Sequence, residues 1–171
     1  FAYGCTIENC TIVSNTCGRN GSGVYQDLRA NTDNILRNSI VYHNTGSADI
    51  VAANSGGTGA LVRAHSCSPS LTDGVDGNTT AEPRFFNRVD GRYRIGADSP
   101  CFGTGTNLPW MLWATDVGDQ ARVQNERVDM GAYEAPALYY VDAAAAAPAA
   151  PYATWSTAAR SSVNRAWSTS R

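Results

Sequence analysis

The feature that most constrains this chain is a seven-residue block that occurs twice. Asn9-Cys10-Thr11-Ile12-Val13-Ser14-Asn15 matches Asn38-Ser39-Ile40-Val41-Tyr42-His43-Asn44. Both copies begin and end on Asn, both carry a β-branched apolar centre, and they start 29 residues apart. A second echo follows each copy: Gly21-Ser22-Gly23-Val24-Tyr25 after the first, Gly46-Ser47-Ala48-Asp49-Ile50 after the second. Thr6-Ile7-Glu8-Asn9 adds another short strand that ends in Asn. A period of roughly 20–30 residues built from short strands points to a solenoid.

Among solenoids the parallel β-helix fits best. Each coil carries two or three short strands separated by turns, and inward apolar side chains stack on the same positions of the next coil. Asn at the corners has a physical reason, because it tolerates the left-handed backbone conformation. Its amide can also bond the neighbouring coil and continue up a ladder. A β-sandwich with Asn-rich turns is the alternative all-β arrangement. On this reading residues 1–55 are coils and residues 56–135 are closing coils and a C-terminal region. Residues 136–171 are an Ala/Pro-rich linker and the start of a second unit.

Within residues 56–135 the pattern predicts a strand at Ala60-Leu61-Val62. It also predicts a hairpin joining Arg84-Phe85-Phe86 to Arg92-Tyr93-Arg94-Ile95 through an Asp90-Gly91 turn. A last short strand is expected at Val128-Asp129-Met130-Gly131-Ala132-Tyr133. Beyond Pro136, Leu138-Tyr139-Tyr140-Val141-Asp142 reads as a strand. Residues 156–167 show helical spacing, with Ser156 or Thr157 at the cap.

Charge narrows the partners. Of 171 residues only 16% are charged, and 13 basic residues, all Arg, face 15 acids, for a net charge of −2. A nucleic-acid binder needs a basic stripe to neutralise phosphates, so that class is set aside. No run of about 18 apolar residues exists, and none of the chain reads as a membrane span. The chain opens on strand-like sequence at Phe1 and stops at Arg171 after a helix-like stretch, which suggests a piece of something larger.

Five cysteines occur, Cys5, Cys10, Cys17, Cys67 and Cys101. An odd number leaves at least one free or paired elsewhere. No CxxC pair exists and His43 and His65 are isolated, which argues against zinc. Cys5 and Cys10 sit in apolar runs and read as small buried hydrophobes. Cys67 and Cys101 flank a turn-rich segment and are the candidate disulfide, a bridge that would add about 3–4 kcal/mol.

An ordered series of blocks carries a family resemblance. Ser66-Cys67-Ser68-Pro69 is followed by Gly77-Asn78-Thr79-Thr80-Ala81-Glu82-Pro83-Arg84-Phe85. Then come Arg92-Tyr93-Arg94-Ile95 and Asp98-Ser99-Pro100-Cys101-Phe102-Gly103-Thr104-Gly105. The series ends with Asp116-Val117-Gly118-Asp119-Gln120-Ala121-Arg122 and Val128-Asp129-Met130-Gly131-Ala132-Tyr133-Glu134. This resembles the C-terminal region of bacterial right-handed parallel β-helix proteins of pectate-lyase-like topology, in the choice-of-anchor Q group. The resemblance covers roughly residues 5–135 and implies a module of a large secreted or cell-surface protein. The segment Tyr139-Tyr140-Val141-Asp142 to Val163-Asn164-Arg165-Ala166 looks like the opening of another such unit. Its Ala-rich loop departs from the Gly/Asp/Asn-rich loop usual there.

The fold invites a search for polysaccharide chemistry. A lyase needs a Ca²⁺ cluster of carboxylates and a strong base on one face. Here only Asp27 and Asp33 lie near Arg29 and Arg37, so Asp33 and Arg37 are thin catalytic candidates. Hydrolases need paired carboxylates on stacked coils. Asn31-Thr32-Asp33 resembles a polygalacturonase motif, but that family's companion Asp pair, Gly-His-Gly and Arg-Ile-Lys are absent.

Asp73, Asp76 and Asn78 offer three oxygen ligands in a Gly-rich loop suited to Ca²⁺, with an ordinary Asx/Gly turn as the alternative. Asp116 and Asp119 are a weaker pair of the same kind. Trp110 and Trp113, beside Met111 and Leu112, form the one concentrated aromatic patch. It reads either as a sugar platform or as a cover over the open end of the core. Asn9, Asn15, Asn38 and Asn44 read as structural corners. Arg122, Asp129 and Glu134 read as carboxylate–Arg pairs that pin the end of the solenoid.

The expectation is therefore an all-β, right-handed parallel β-helix fragment that serves as a non-catalytic stalk, adhesin or glycan-contacting surface. The competing expectation is part of a polysaccharide lyase or glycoside hydrolase acting on acidic polysaccharide. No cofactor other than Ca²⁺ is indicated.

Overall fold

The structure, a computed structural model, describes residues 4–18, 21–28, 31–86, 88, 91–124 and 126–136. The chain divides between Pro136 and Ala137. The strand at 138–142 and the capped helix at 156–167 expected from sequence lie outside the described residues, as does Asp90 of the expected hairpin turn.

The described residues are all-β. Seven short strands follow one another: β1 (Thr6–Glu8), β2 (Thr11–Val13), β3 (Val24–Leu28), β4 (Asn34–Arg37), β5 (Ile40–Tyr42), β6 (Ile50–Asn54) and β7 (Leu61–Ala64). Two 3₁₀ segments, Val75–Gly77 and Pro109–Trp113, complete the regular structure. Every strand pair is parallel, in three small sheets of order β1-β4-β7, β2-β5 and β3-β6. The chain thus visits three sheets in the same order twice, then returns to the first.

The seven-residue repeat sets the register. Ile7 lies over Leu36 and Ile12 over Val41, each pair 29 positions apart. The second echo pairs with a shift of one residue. Aligning the two Gly starts would place Val24 on Asp49, but Val24 lies on Ile50. Both are 5% exposed and meet in one cluster with Leu36 and Val41. A slip of one residue would turn Ile50 to the other face, so apolar packing overrides the Gly alignment.

Corners repeat with the strands. Asn9, Asn38 and His65 follow β1, β4 and β7, and all three are left-handed, with φ of 48°, 49° and 45°. Ser14 and His43 do the same after β2 and β5, at 59° and 57°. Side chains tie one pass to the next. Cys10 N donates to Ser39 Oγ, Ser39 N to Ser66 Oγ, and Ser66 N to Asn78 Oδ1. Asn15 donates its N–H and its amide to Asn44 Oδ1, and Asn44 donates onward to Ile12 O and Asp49 Oδ1.

Two apolar clusters lie on opposite faces of the β2-β5 sheet. Val24, Leu36, Val41 and Ile50 fill one, with Ile7, Ile12 and Leu71 against them. The other joins Ile40 to Cys67, Phe85, Ile95, Cys101, Met130 and Ala135. Burial on both faces explains why Ile40-Val41-Tyr42 shows no polar alternation.

Residues 84–135 depart from the sequence reading. Among the described residues the expected hairpin shows one backbone hydrogen bond, Phe86 N to Arg94 O. No strand forms at 128–133. The N–H groups there go to side chains instead: Val128 to Asn107, Asp129 to Glu134, and Ala132 to Thr11. Cys5 is exposed and Cys10 half-buried, contrary to the expectation of buried thiols. Both belong to the first pass, on which no further strand is stacked within the described residues. Cys67 and Cys101 are free thiols, both fully buried in one cluster.

Candidate functional site

The catalytic candidates Asp33, just before β4, and Arg37, at its end, both have partners within the chain. Arg37 forms an ion pair with Glu8, its register neighbour on β1. Asp33 Oδ1 accepts the N–H of Ala60 at 2.8 Å. The rest of Asn31-Thr32-Asp33 works the same way, since Asn31 Oδ1 accepts from Thr58 Oγ1 at 2.8 Å. Gly59 presses against this tie so closely that a Cβ would sit 2.1 Å from Thr32 O. The motif that looked like hydrolase chemistry is a clamp holding the start of the third pass. Asp27 is engaged likewise, accepting from Ser55 N and Oγ.

The aromatic patch separates cleanly by exposure. Met111 is 0% exposed and anchors the 3₁₀ segment, while Trp110 is 48% and Trp113 93% exposed. The segment turns on Met111 N to Leu108 O, with Leu108 N donating to Met111 Sδ. Met111 is therefore the buried member of the patch, and Trp110 and Trp113 are its exposed members.

Arg122, Asp129, Glu134 and Asp116 form one buried network. Arg122 Nη1 donates to Glu134 Oε1 and to Gly131 O, and Nη2 to Ala132 O. Glu134 Oε2 accepts from Asp129 N, and Glu134 N donates to Asp116 Oδ2. Asp129 accepts from Gly103 N and Ala135 N. Burial pushes the Glu134 carboxyl up to about 8, against the lowering effect of its hydrogen bonds, and burial also raises Asp129. Every carboxylate oxygen named here points at a donor of the chain itself, so the arrangement pins the C-terminal region.

The 73–78 turn is also engaged. Asp73 Oδ1 accepts from Thr80 N at 2.9 Å. Asn78, 6% exposed, accepts from Ser66 N and donates to Arg63 O. Asp76 lines a cleft of about 180 Å³ with Leu61, Arg63, Ser70, Leu71, Thr72, Val75 and Asn78. Among the described residues no group of three or more His, Cys, Asp or Glu side chains could hold a metal ion.

Arg63 was not singled out by sequence. It lies in register with Leu36, which lies in register with Ile7, so it takes the inward position of the third pass. Its Nε donates to Gln26 Oε1 at 2.8 Å, and Gln26 is itself 5% exposed. Its Nη2 is buried with no hydrogen-bond partner, and burial lowers its pKa. Continuing the repeat one more pass would have found it, as a cation at a position that is apolar in the two passes before.

No helix among the described residues is long and apolar enough to cross a membrane. No protein-family model matches the chain, and neither a curated protein nor a solved structure is detectably similar to it.

Proposed function

We propose that this chain is a right-handed parallel β-helix module of a larger secreted or cell-surface protein, of the choice-of-anchor Q kind. It acts as a rigid stalk or adhesin surface that contacts glycan without transforming it. The repeated visit to three parallel sheets in one order supports the β-helix reading. So does the general right-handedness of parallel crossovers.

The single observation that carries the glycan contact is the pair Trp110 and Trp113. Two exposed indoles sit on a short segment held by a buried Met111. Sugars present apolar C–H faces that stack on such rings, and Trp also offers an N–H to a hydroxyl. The engagement of Asp33 by Ala60 and of Arg37 by Glu8 favours binding over catalysis.

Affinity electrophoresis through gels containing acidic and neutral polysaccharides tests this reading. Retarded migration on at least one polysaccharide, abolished by Trp113→Ala, is expected. Ca²⁺-dependent ultraviolet absorbance of unsaturated products, lost in Asp33→Asn or Arg37→Met, would instead identify a lyase.

A further inference from the structure

We propose that the open edge of β6 binds an extended basic peptide of another protein as an added strand. At the Asn78 end of the stack the chain covers two of its three sheets. The last strand of the first sheet, β7, is met by the Val75–Gly77 segment, with His65 N donating to Asp76 O and Asn78 Nδ2 to Arg63 O. In the second, Cys67 bridges to Ile40 on one side and to Thr79 on the other. Among the described residues the third sheet stops at β6, where Ile50 N donates to Ser70 Oγ.

The ladder to β3 shows which groups are left over. Val24 N donates to Asp49 O, and Leu28 O accepts from Ser55 N. Along a strand successive residues turn their backbone groups to opposite sides, so Ala52 and Asn54 direct their N–H groups away from β3. Ile50 N lies on that same outer side and is the group Ser70 takes. Ala52 and Asn54 are in register with buried Gln26 and Leu28 yet are themselves exposed, so the sheet is uncovered there. Edge strands are usually blunted by charge or Pro, and Ile50-Val51-Ala52-Ala53-Asn54 carries neither.

The surroundings say what fits. A side chain of an added strand in register with Ala52 points inward, as Gln26 does. The cleft of about 180 Å³ borders this place, because Arg63 in its lining reaches Gln26 and Ser70 in its lining holds Ile50. Leu61, Leu71 and Val75 give it apolar walls, which suit a small aliphatic side chain. Charge sets the alternate positions. From Asn44 to Ala81 the chain carries Asp49, Asp73 and Asp76 against one Arg, Arg63, which is tied to Gln26. Asp73 and Asp76 are exposed and favour a basic partner, whereas a second copy of this chain would bring like charges together. A strand of 5 residues also buries far less than the ~1,200 Å² of a stable protein interface. Capture of a peptide by strand addition needs only main-chain bonds and a side-chain pocket.

Fluorescence anisotropy of a labelled, end-blocked Val-Lys-Val-Lys-Val peptide, titrated with the full chain at low salt, tests this. Saturable binding is expected. Replacing both Lys by Glu, or the central Val by Pro, should weaken it by about tenfold or more. Ala52→Pro removes an outward N–H from an edge strand while sparing the bonds to β3, and should weaken binding by a similar factor.

Amide hydrogen exchange of the unsubstituted protein gives a readout that needs no variant. Ala52 and Asn54 should exchange faster than Val51 and Ala53 in the free chain, and should slow by about tenfold or more with peptide. No saturable binding, equal binding of the Glu peptide, equal binding by Ala52→Pro, or unchanged exchange at Ala52 and Asn54 would each overturn the proposal. So would slow exchange at these amides without peptide, which would mean that the chain itself covers the edge. Self-association abolished by Ala52→Pro would overturn it too, in favour of a second copy. Trp113→Ala leaves the peptide titration unchanged, so the failure of this inference and that of the glycan reading are distinguishable.

Discussion

Arg122 Nη1 lies 3.1 Å from Glu134 Oε1, with Arg122 6% and Glu134 2% exposed. Arg122 donates to Glu134 Oε1, Gly131 O and Ala132 O, and removing it leaves three acceptors without their donor. Arg122→Met is therefore expected to destabilise the fold by about 3–5 kcal/mol. Urea denaturation followed by Trp fluorescence measures this. An unchanged midpoint would mean that the pair does not hold the 116–135 region in place.

The same network gives a pH dependence. Burial raises Glu134 from an ordinary 4.5 to about 8 in the fold, and Asp129 shifts the same way. An acid whose folded pKa lies above its unfolded value holds its proton better when folded. Its stabilising contribution is full below the unfolded value and is lost as pH rises through the folded value. The denaturation midpoint should fall between about pH 4.5 and about pH 8. Glu134→Gln, which cannot ionise, should flatten that fall. A midpoint that climbs over this window would contradict it.

Asn38 ties the corner after β4 to the C-terminal region. Its amide donates to Thr106 O and accepts from Thr106 N, both at 2.8 Å, and its φ is 49°. Asn38→Ala loses both bonds and puts a residue that tolerates the left-handed region less well than Asn at this corner, at a cost of about 3 kcal/mol. Asn38→Gly loses the bonds without the strain and should cost about 1–2 kcal/mol less. Paired melts of the two variants check the difference; equal losses would mean that the left-handed corner is not strained.

Cys67 and Cys101 are fully buried, whereas Cys5 is exposed. The Cys101 thiol hydrogen-bonded to Cys67, and then burial, push the Cys67 thiol well above its ordinary value. Thiol titration of the folded protein should modify Cys5 first and leave Cys67 and Cys101 untouched. Denatured protein should show all five thiols. A count lower by two, restored by reductant and mapped to Cys67 and Cys101, would show that the buried pair has closed into a bridge.

The parallel strands between Thr6 and Ala64 are legible in the sequence because their information is periodic. Asn9 and Asn38 mark corners, and Ile12 over Val41 follows from a repeat visible by eye. The one-residue offset that brings Val24 onto Ile50 was not legible, because it depends on which face is buried and not on Gly spacing. The closing region was read less well. The sequence reads Val128 to Tyr133 as a strand, whereas Glu134 and Thr11 take the N–H groups of Asp129 and Ala132. Side-chain capture of backbone donors leaves no periodic trace. Met111 and Trp113 were indistinguishable as apolar residues of one patch, and only the turn at Leu108 decides which is buried.

The most direct test of the parallel pairing is a methyl NOESY spectrum of the selectively labelled chain. Parallel neighbours lie about 4.8 Å apart across a sheet, within reach of the effect. The stack predicts cross-peaks from Ile7 to Leu36, Ile12 to Val41 and Val24 to Ile50. Absence of these three, with cross-peaks instead between consecutive strands paired antiparallel, would contradict the repeated visit to three parallel sheets.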